Sequence, residues 1–211
     1  SVHAVSGTAG LDLMEPVVLR VGVFGGAFDP PHRGHVALAQ TALQQLQLDV
    51  LHAIPTGQAW HKSRDLTVGE HRLAMTRLAF EGIDRVQVDA REIARSGPSY
   101  TVDTLTELQA AYPQAQLYLL VGEDQAQALP TWHRWQALVR LAIICVAARA
   151  DHTGATGQFD ALKSLLPDLR ILKMPPLAIS ATDIRRRLAH HENVIPLVFE
   201  PVARYIDHHH L

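Results

Sequence analysis

The sequence Gly25-Gly26-Ala27-Phe28-Asp29-Pro30-Pro31-His32-Arg33-Gly34-His35 follows an apolar run at residues 17–24. An apolar run that stops at two glycines is typical of a buried strand followed by a turn. The stretch therefore predicts a strand, a turn and a helix that begins near Gly34. Apolar residues after the turn recur at spacings of three and four, which places them on one face of that helix: Val36, Ala39, Leu43 and Leu46.

The same alternation continues along the chain. Further strands are predicted at residues 50–54, 86–88, 117–121, 142–147 and 169–172, with helices at 69–80, 102–111 and 135–141. Strands that alternate with helices predict an α/β fold, a doubly wound, Rossmann-like parallel sheet with helices on both faces and a C-terminal helical segment. The length of 211 residues favours one domain, assigned to residues 17–211. Residues 1–16 are expected to be an extension outside it, native or added.

Composition and charge limit the classes of partner. The formal net charge is −2 at pH 7, so no overall positive field would attract a nucleic acid. No apolar run approaches the ~18 residues of a transmembrane helix, and the first residues lack the pattern of a signal peptide. The single cysteine, Cys145, cannot form an intramolecular disulfide and is expected to be a buried packing residue. These features predict a cytoplasmic protein without nucleic-acid or membrane partners, and they leave homo-oligomerisation open.

The start of the first helix has the chemistry of a phosphate site. A helix N-terminus presents amide N–H groups and a partial positive charge, and Gly25, Gly26 and Gly34 would let the backbone approach a phosphate closely. His32 and His35 would add imidazole donors. The spacing fits neither a P-loop nor the Gly-x-Gly-x-x-Gly fingerprint. Two alternatives remain: a tight turn with solvent-facing histidines, and a metal site, disfavoured because no carboxylate or cysteine is spaced to complete the ligands.

A second candidate phosphate site lies in Ile179-Ser180-Ala181-Thr182-Asp183-Ile184-Arg185-Arg186-Arg187-Leu188. Ser180 followed three residues later by Asp183 predicts a capping box at a helix start, which is a sufficient structural explanation. The functional alternative adds hydroxyl and amide donors, with Arg185 one turn into the helix, as an anion site suited to a triphosphate. Arg186 and Arg187 are expected to be solvated.

Together the two motifs resemble the paired signatures of the nucleotidyltransferases that carry a His-x-Gly-His motif. The middle of the chain is similar to the bacterial nicotinate-nucleotide adenylyltransferases, and the resemblance extends from about Val21 to the end. In one stretch, Gln58-Ala59-Trp60-His61-Lys62, the chain departs from the Pro-Pro-His-Lys sequence common in that family. The middle segments that carry the resemblance are Gly97-Pro98-Ser99-Tyr100-Thr101-Val102-Asp103-Thr104-Leu105, Val121-Gly122-Glu123-Asp124 and Leu129-Pro130-Thr131-Trp132-His133.

The resemblance implies a role for residues in each segment. Those assigned to catalysis are His32, His35, Lys62 and Arg185. Those assigned to ATP binding are Gly25, Gly26, Phe28, Gly34, Gly122, Asp124, Ile179, Ser180 and Thr182. Those assigned to the mononucleotide are Ser99, Tyr100, Thr101, Trp132 and His133. Main-chain donors near Tyr100, Thr101 and His133 would hold the nicotinate carboxylate, and Trp132 would stack on the pyridine ring. Without the resemblance, Trp132 is explained as a packed aromatic residue, and Ser99 or Thr101 as a helix cap.

The function implied by the resemblance is transfer of AMP from ATP to nicotinate mononucleotide, giving deamido-NAD and pyrophosphate. The expected partners are these two small molecules, with Mg²⁺ bound mainly through the ATP phosphates. Two alternatives are an adenylyltransferase for nicotinamide mononucleotide or phosphopantetheine, and a nucleotide-binding module without catalysis.

Overall fold

The computed structural model describes residues 17–57, 66–149, 157, 159–175 and 179–211. In this part of the chain, strands and helices alternate. The strands are Arg20–Gly26 (β1), Val50–Pro55 (β2), Val86–Val88 (β3), Gln116–Gly122 (β4), Ala142–Arg149 (β5) and Arg170–Met174 (β6). The helices are Arg33–Gln45 (α1), Gly69–Phe80 (α2), Arg91–Ala94 (α3), Thr101–Ala111 (α4), Glu123–Ala128 (α5), Trp135–Leu141 (α6), Asp160–Leu165 (α7), Ala181–Ala189 (α8) and Glu200–His208 (α9), with a 3₁₀ turn at Leu129–Thr131.

The strands form one parallel sheet in the order β3-β2-β1-β4-β5-β6. Chain order runs outward from β1 to β3 and then restarts on the other side of β1 with β4. Val23 of β1 therefore lies between His52 of β2 and Leu119 of β4. The predicted Rossmann-like α/β fold is confirmed. In such a sheet, ligands bind beyond the carboxyl ends of the strands at the point where the order reverses, which here is between β1 and β4.

Helices pack on both faces of the sheet, as predicted. On one face, α1, α2, α8 and α9 bury apolar side chains in a core that includes Val36, Met75, Ile184 and Ile206. On the other face, α4, α6 and α7 bury Leu105, Leu138 and Leu162. The predicted C-terminal helical segment is the pair α8 and α9. Its packing against the first core keeps α8 on the same face as α1.

The predicted ends of two strands are wrong by several residues. Strand β1 begins at Arg20 rather than at residue 17, and Val17 and Val18 are exposed. The reason is the pairing: Arg20 is the first residue of β1 with a partner in β4, and Val21 is the first with a partner in β2. Strand β6 is Arg170–Met174 rather than residues 169–172, and its register with β5 sets those limits.

The buried face of α2 also differs from the prediction. The sequence places apolar residues of one face at Leu73, Met75 and Leu78, but Leu73 and Leu78 are only partly buried. The buried face of the helix is rotated from the predicted one because it includes an arginine and a threonine. A prediction that counts only apolar residues does not assign these two to the buried face. The residues that α2 buries are Arg72, Met75, Thr76, Ala79 and Phe80.

The single cysteine and the lengths of the apolar helices agree with the expectations from composition. Cys145 in β5 is fully buried, and burial raises the pKa of its thiol to about 12. It is a packing residue, as expected. Within the described residues, no helix combines the length and the apolar character needed to cross a membrane.

Gly22, in the middle of β1, is required by close packing. A Cβ at this position would lie 2.5 Å from Leu48 Cδ1 and 2.6 Å from Leu51 Cδ1, and both leucines are buried. We expect Gly22→Ala to lower the free energy of unfolding by about 1–3 kcal/mol, the usual cost of an overpacked core. Gly25→Ala is the control in the same strand, because the nearest atom to its Cβ is 3.9 Å away. Urea denaturation measures both, and equal destabilisation of the two variants would contradict the prediction.

Candidate active site

The loop between β1 and α1, residues 27–32 (the β1–α1 turn), leads from the sheet into the first helix. Helix α1 begins at Arg33, one residue before the predicted start, with His32 as its N-cap in an extended conformation. Phe28 adopts a positive φ of 47° and has 1% of its surface exposed. Its ring packs edge-on against His35 at a centroid distance of 4.8 Å. Phe28 thus supports His35 from the core, and its side chain does not face solvent.

The two histidines are held by reciprocal hydrogen bonds to the backbone. The Gly34 N–H donates to His32 Nδ1 at 3.0 Å, and the His32 N–H donates to His35 Nδ1 at 3.0 Å. The rings stack with centroids 3.7 Å apart. Since a backbone N–H can only donate, both Nδ1 atoms are acceptors, and the proton of each neutral ring is on Nε2. The histidines are therefore not free at the surface: both Nδ1 atoms cap α1, His32 is buried and His35 is half-buried.

Burial keeps both imidazoles neutral at pH 7. His32 has 6% of its surface exposed, and desolvation lowers its pKa from 6.5 to about 4. Desolvation also lowers the pKa of His35 well below its ordinary value, and the neighbouring His32 adds to that shift. The pair therefore offers two Nε2–H donors whose direction is fixed by the backbone.

Gly34 connects the His pair to the second motif. A Cβ on Gly34 would lie 2.9 Å from His32 Cε1 and 3.0 Å from its Nδ1, so the imidazole can occupy this position only if residue 34 has no side chain. The same Cβ would be 3.9 Å from Ile179 Cβ. The backbone of α1 therefore lies against Ile179, the residue before the N-cap of α8.

Arg185 joins the two motifs directly. Its Nη1 donates to the Asp29 carbonyl at 2.9 Å, and its Nη2 donates to Thr182 Oγ1 at 3.1 Å. Ser180 is the N-cap of α8 and accepts from the Asp183 N–H at 3.1 Å, which confirms one half of the predicted capping box. The reciprocal bond to the Ser180 N–H does not form among the described residues, because the Asp183 carboxylate pairs with two arginines of α8. The structure thus brings the guanidinium of Arg185 to the same turn that carries the two imidazoles.

The carboxylate of Asp183 turns away from this turn. It forms ion pairs with Arg186 at 2.5 Å and Arg187 at 3.0 Å. Arg186 is exposed, as expected, and Arg187 is half-buried. These pairs hold the pKa of Asp183 below its ordinary value. The three consecutive arginines are therefore divided: Arg185 faces the β1–α1 turn, and the other two lie at the surface of α8.

The residues assigned to the mononucleotide lie at the start of α4 and before α6. The rings of Tyr100 and His133 stack with centroids 4.2 Å apart. Trp132 is half-buried against the core on that face. Tyr100, not Ser99 or Thr101, is the N-cap of α4, and it makes no side-chain cap bond. The Ser99 Oγ is buried and has no hydrogen-bond partner among the described residues.

The other assigned residues occupy the ends of strands or lie outside the described part. Gly25 and Gly26 end β1, and Gly122 ends the adjacent β4. Asp124 is exposed in the first turn of α5. Lys62, with the whole stretch 58–62, lies outside the described residues.

Two buried charged residues near the β1–α1 turn were not predicted as site residues. Asp29 is 4% exposed and accepts from the Thr67 N–H at 3.0 Å. Arg72 on α2 is 3% exposed and donates to the Ala27 carbonyl at 3.1 Å. The sequence does contain a signal for Arg72: it lies three residues before Met75 and therefore on the same face of α2. The prediction missed it because it followed the leucines of this helix instead.

The sequence is similar to sequences of known proteins. The cytidylyltransferase-like family model matches residues 23–187, a range that includes both motifs. This chain belongs to the cytidylyltransferase-like family. A protein of Albidiferax ferrireducens named as a probable nicotinate-nucleotide adenylyltransferase is 59% identical over 192 residues, covering 91% of this chain and 97% of its own length. One of Methylibium petroleiphilum with the same name is 43% identical and covers 91% and 92%. The resemblance seen in the sequence is confirmed.

Solved structures support the fold of this cytidylyltransferase-like protein. The nicotinic acid mononucleotide adenylyltransferase of Plasmodium falciparum, complexed with APC, superposes with a TM-score of 0.75 at 16% identity, covering 92% of this chain and 96% of that one. The same enzyme complexed with NaAD gives a TM-score of 0.74. At this identity the likeness concerns the fold.

The buried His pair predicts a loss of stability in mild acid. Above pH 6.5 His32 is neutral in both states, but between pH 6.5 and about 4 the unfolded chain takes up a proton that the folded chain does not. His32 therefore lowers the free energy of unfolding by up to about 3 kcal/mol over this interval. His32→Asn keeps an acceptor for the Gly34 N–H and removes the titration. Urea denaturation at pH 7 and pH 4 should show a smaller decrease for the variant, and an equal decrease would contradict the prediction.

Proposed function

We propose that this protein transfers the AMP part of ATP to the phosphate of nicotinate mononucleotide, giving deamido-NAD and pyrophosphate. The observation that carries the proposal is the contact between Arg185 and the Asp29 carbonyl, because it joins the motif with the guanidinium to the motif with the two imidazoles. Two relatives of 59% and 43% identity carry the name of this activity.

The proposed reaction is an in-line displacement at the α-phosphorus of ATP. An oxygen of the mononucleotide 5′-phosphate forms a new P–O bond, and the bond from the α-phosphorus to the bridging oxygen breaks, so that pyrophosphate leaves with the electron pair. Such transfers depend on positioning and on neutralising charge in the transition state, and they need no protein nucleophile. We assign this work to the Nε2–H groups of His32 and His35, to Arg185 and to Lys62.

Neutral imidazoles suit this task because their donors are fixed before the substrate arrives. The hydrogen bonds at Nδ1 prevent either ring from rotating freely, and preorganised donors need no rearrangement as charge develops.

We propose that Mg²⁺ enters with ATP as part of the substrate. The described residues contain no group of three or more His, Cys, Asp or Glu side chains placed to hold a metal ion. Their donor set consists of N–H groups, which suit phosphate oxygens, and Mg²⁺ commonly binds through phosphates and water. The ion would neutralise charge on the triphosphate.

We assign the remaining residues to the two substrates. For the mononucleotide, the Ser99 Oγ, which has no partner in the described part of the chain, and the main chain near Tyr100, Thr101 and His133 are proposed to hold the nicotinate carboxylate, with Trp132 beside the pyridine ring. We further propose that the protein acts in the cytoplasm. The proposed contacts to ATP are made by Gly25, Gly26, Gly34, Gly122, Asp124, Ile179, Ser180, Thr182 and the main chain of Phe28.

A pyrophosphate-release assay distinguishes this proposal from its alternatives. With ATP and Mg²⁺ present, we expect release with nicotinate mononucleotide to exceed release with nicotinamide mononucleotide or phosphopantetheine by at least about tenfold in kcat/KM, because a carboxylate accepts stronger hydrogen bonds than an amide. A preference for either other acceptor would replace the proposed substrate. Binding of ATP without release from any acceptor would identify a non-catalytic module.

Two conservative variants separate the structural and the chemical roles of His35. An asparagine oxygen can replace Nδ1 as the acceptor of the His32 N–H, but it cannot replace the Nε2–H donor, whereas a glutamine amide reaches the position of Nε2. We expect His35→Asn to fold and to lose on the order of 10²-fold or more in kcat, the size of one lost transition-state contact. His35→Gln should lose less. Steady-state kinetics measure both, and turnover of His35→Asn within a few-fold of wild type would refute the role.

A further inference from the structure

Arg72 connects three segments of chain that surround the candidate site. Its guanidinium donates from Nε to the Thr67 carbonyl at 2.6 Å, and from Nη1 to the Thr56 carbonyl at 2.6 Å and the Ala27 carbonyl at 3.1 Å. Ala27 belongs to the β1–α1 turn, Thr56 directly follows β2, and Thr67 lies just before α2. One buried side chain thus ties the carboxyl ends of two neighbouring strands to the start of α2.

The contacts continue from Arg72 to Arg185. Thr67 accepts from Arg72 through its carbonyl and donates through its N–H to Asp29 Oδ2 at 3.0 Å. The Asp29 carbonyl in turn accepts from Arg185 Nη1 at 2.9 Å. These three hydrogen bonds form a continuous path, Arg72–Thr67–Asp29–Arg185, which we call the positioning chain. It runs from α2 through the β1–α1 turn to α8.

The chemistry of Arg72 suits positioning better than packing. Burying a charged group costs several kcal/mol, and an apolar side chain would fill the same space without that cost. Three hydrogen bonds of Arg72 go to backbone carbonyls of the loops around the site. Because the guanidinium is planar and rigid, it fixes the directions of several acceptors at once, which the single ammonium of lysine cannot do.

We propose that Arg72 is a positioning residue for the transfer reaction: through Thr67 and Asp29 it sets the direction of the Arg185 guanidinium relative to the two imidazoles. It acts without contact with either substrate. The inference rests on the proposed function, because Arg185 is the group whose placement matters for the chemistry. Loss of such support affects the transition state most, since a displacement of about 1 Å in a catalytic group can cost on the order of 10²-fold in rate.

The first test is the kinetics of Arg72→Lys. We expect kcat to fall roughly 10- to 100-fold, with KM for ATP and for nicotinate mononucleotide within about threefold of wild type. The matched control is Arg77→Lys, an exposed arginine on the same helix, which should leave kcat and KM unchanged. Rates are normalised to the folded fraction measured by near-ultraviolet circular dichroism. An unchanged kcat in folded Arg72→Lys would overturn the proposal.

A double-mutant cycle tests the positioning chain itself. If Arg72 acts through Arg185, the effects of Arg72→Lys and Arg185→Lys on kcat will not multiply, and the double variant will resemble Arg185→Lys. The control cycle of Arg77→Lys with Arg185→Lys should be multiplicative. Multiplicative effects in both cycles would overturn the connection. If Arg72→Lys does not fold, Asp29→Asn replaces it in the cycle, because this variant alters the next link and leaves the buried guanidinium in place.

Amide exchange provides a test that does not depend on the reaction. The Thr67 N–H should be protected in the wild-type protein without substrates, and Arg72→Lys should accelerate its exchange at least tenfold. The amide of Leu105, in the core on the other face of the sheet, should exchange equally slowly in both proteins. If wild-type protein releases no pyrophosphate with any acceptor, the proposed function fails, but the exchange data still decide whether Arg72 holds Thr67. Equal exchange at Thr67 in both proteins would contradict the positioning chain.

Discussion

The candidate site depends on the pair of hydrogen bonds that the backbone of α1 donates to two imidazoles. The N–H of Gly34 is satisfied by His32, and the N–H of His32 is satisfied by His35. These bonds cap the helix, and they also determine which nitrogen of each ring carries the proton. In each ring, Nδ1 accepts the bond that caps the helix, and Nε2–H is the donor proposed to bind phosphate. The cap bonds therefore stabilise the helix start and also fix the direction of the Nε2–H donors. Gly34 makes this possible, since any side chain there would displace the His32 ring.

The sheet decides where these donors meet the other cation. Strand order reverses beside β1, so the β1–α1 turn opens toward the crevice between β1 and β4. Helix α8 returns to the same face through the core that it shares with α1 and α2. Arg185 can then reach the Asp29 carbonyl, although 156 residues separate them in the chain. The buried contacts of Asp29 and Arg72 hold the loops between these elements.

Local sequence patterns predicted the helices and strands because the spacing of buried residues and the choice of cap residue follow from backbone geometry. The period of apolar residues in α1 identified its buried face, and the serine at position 180 identified the start of α8. The same logic failed for α2, since it counts apolar residues and α2 buries Arg72 and Thr76. The buried Arg72 guanidinium forms its hydrogen bonds with carbonyls of loops distant in the chain. The spacing of residues within α2 contains no information about those loops. Strand β1 was misjudged at its start for a related reason: its limit is set by its neighbours.

By itself, the sequence determined the fold class and the two turns with phosphate chemistry, because short-range spacing controls helix starts, strand runs and glycine turns. The tertiary structure alone decided that His32 is buried, that the two imidazoles are stacked and neutral, and that Tyr100 stacks on His133. It also decided that Arg185, and neither neighbouring arginine, faces the turn. Burial, protonation and direction depend on which groups pack together across the sheet, and that packing involves residues far apart in the chain.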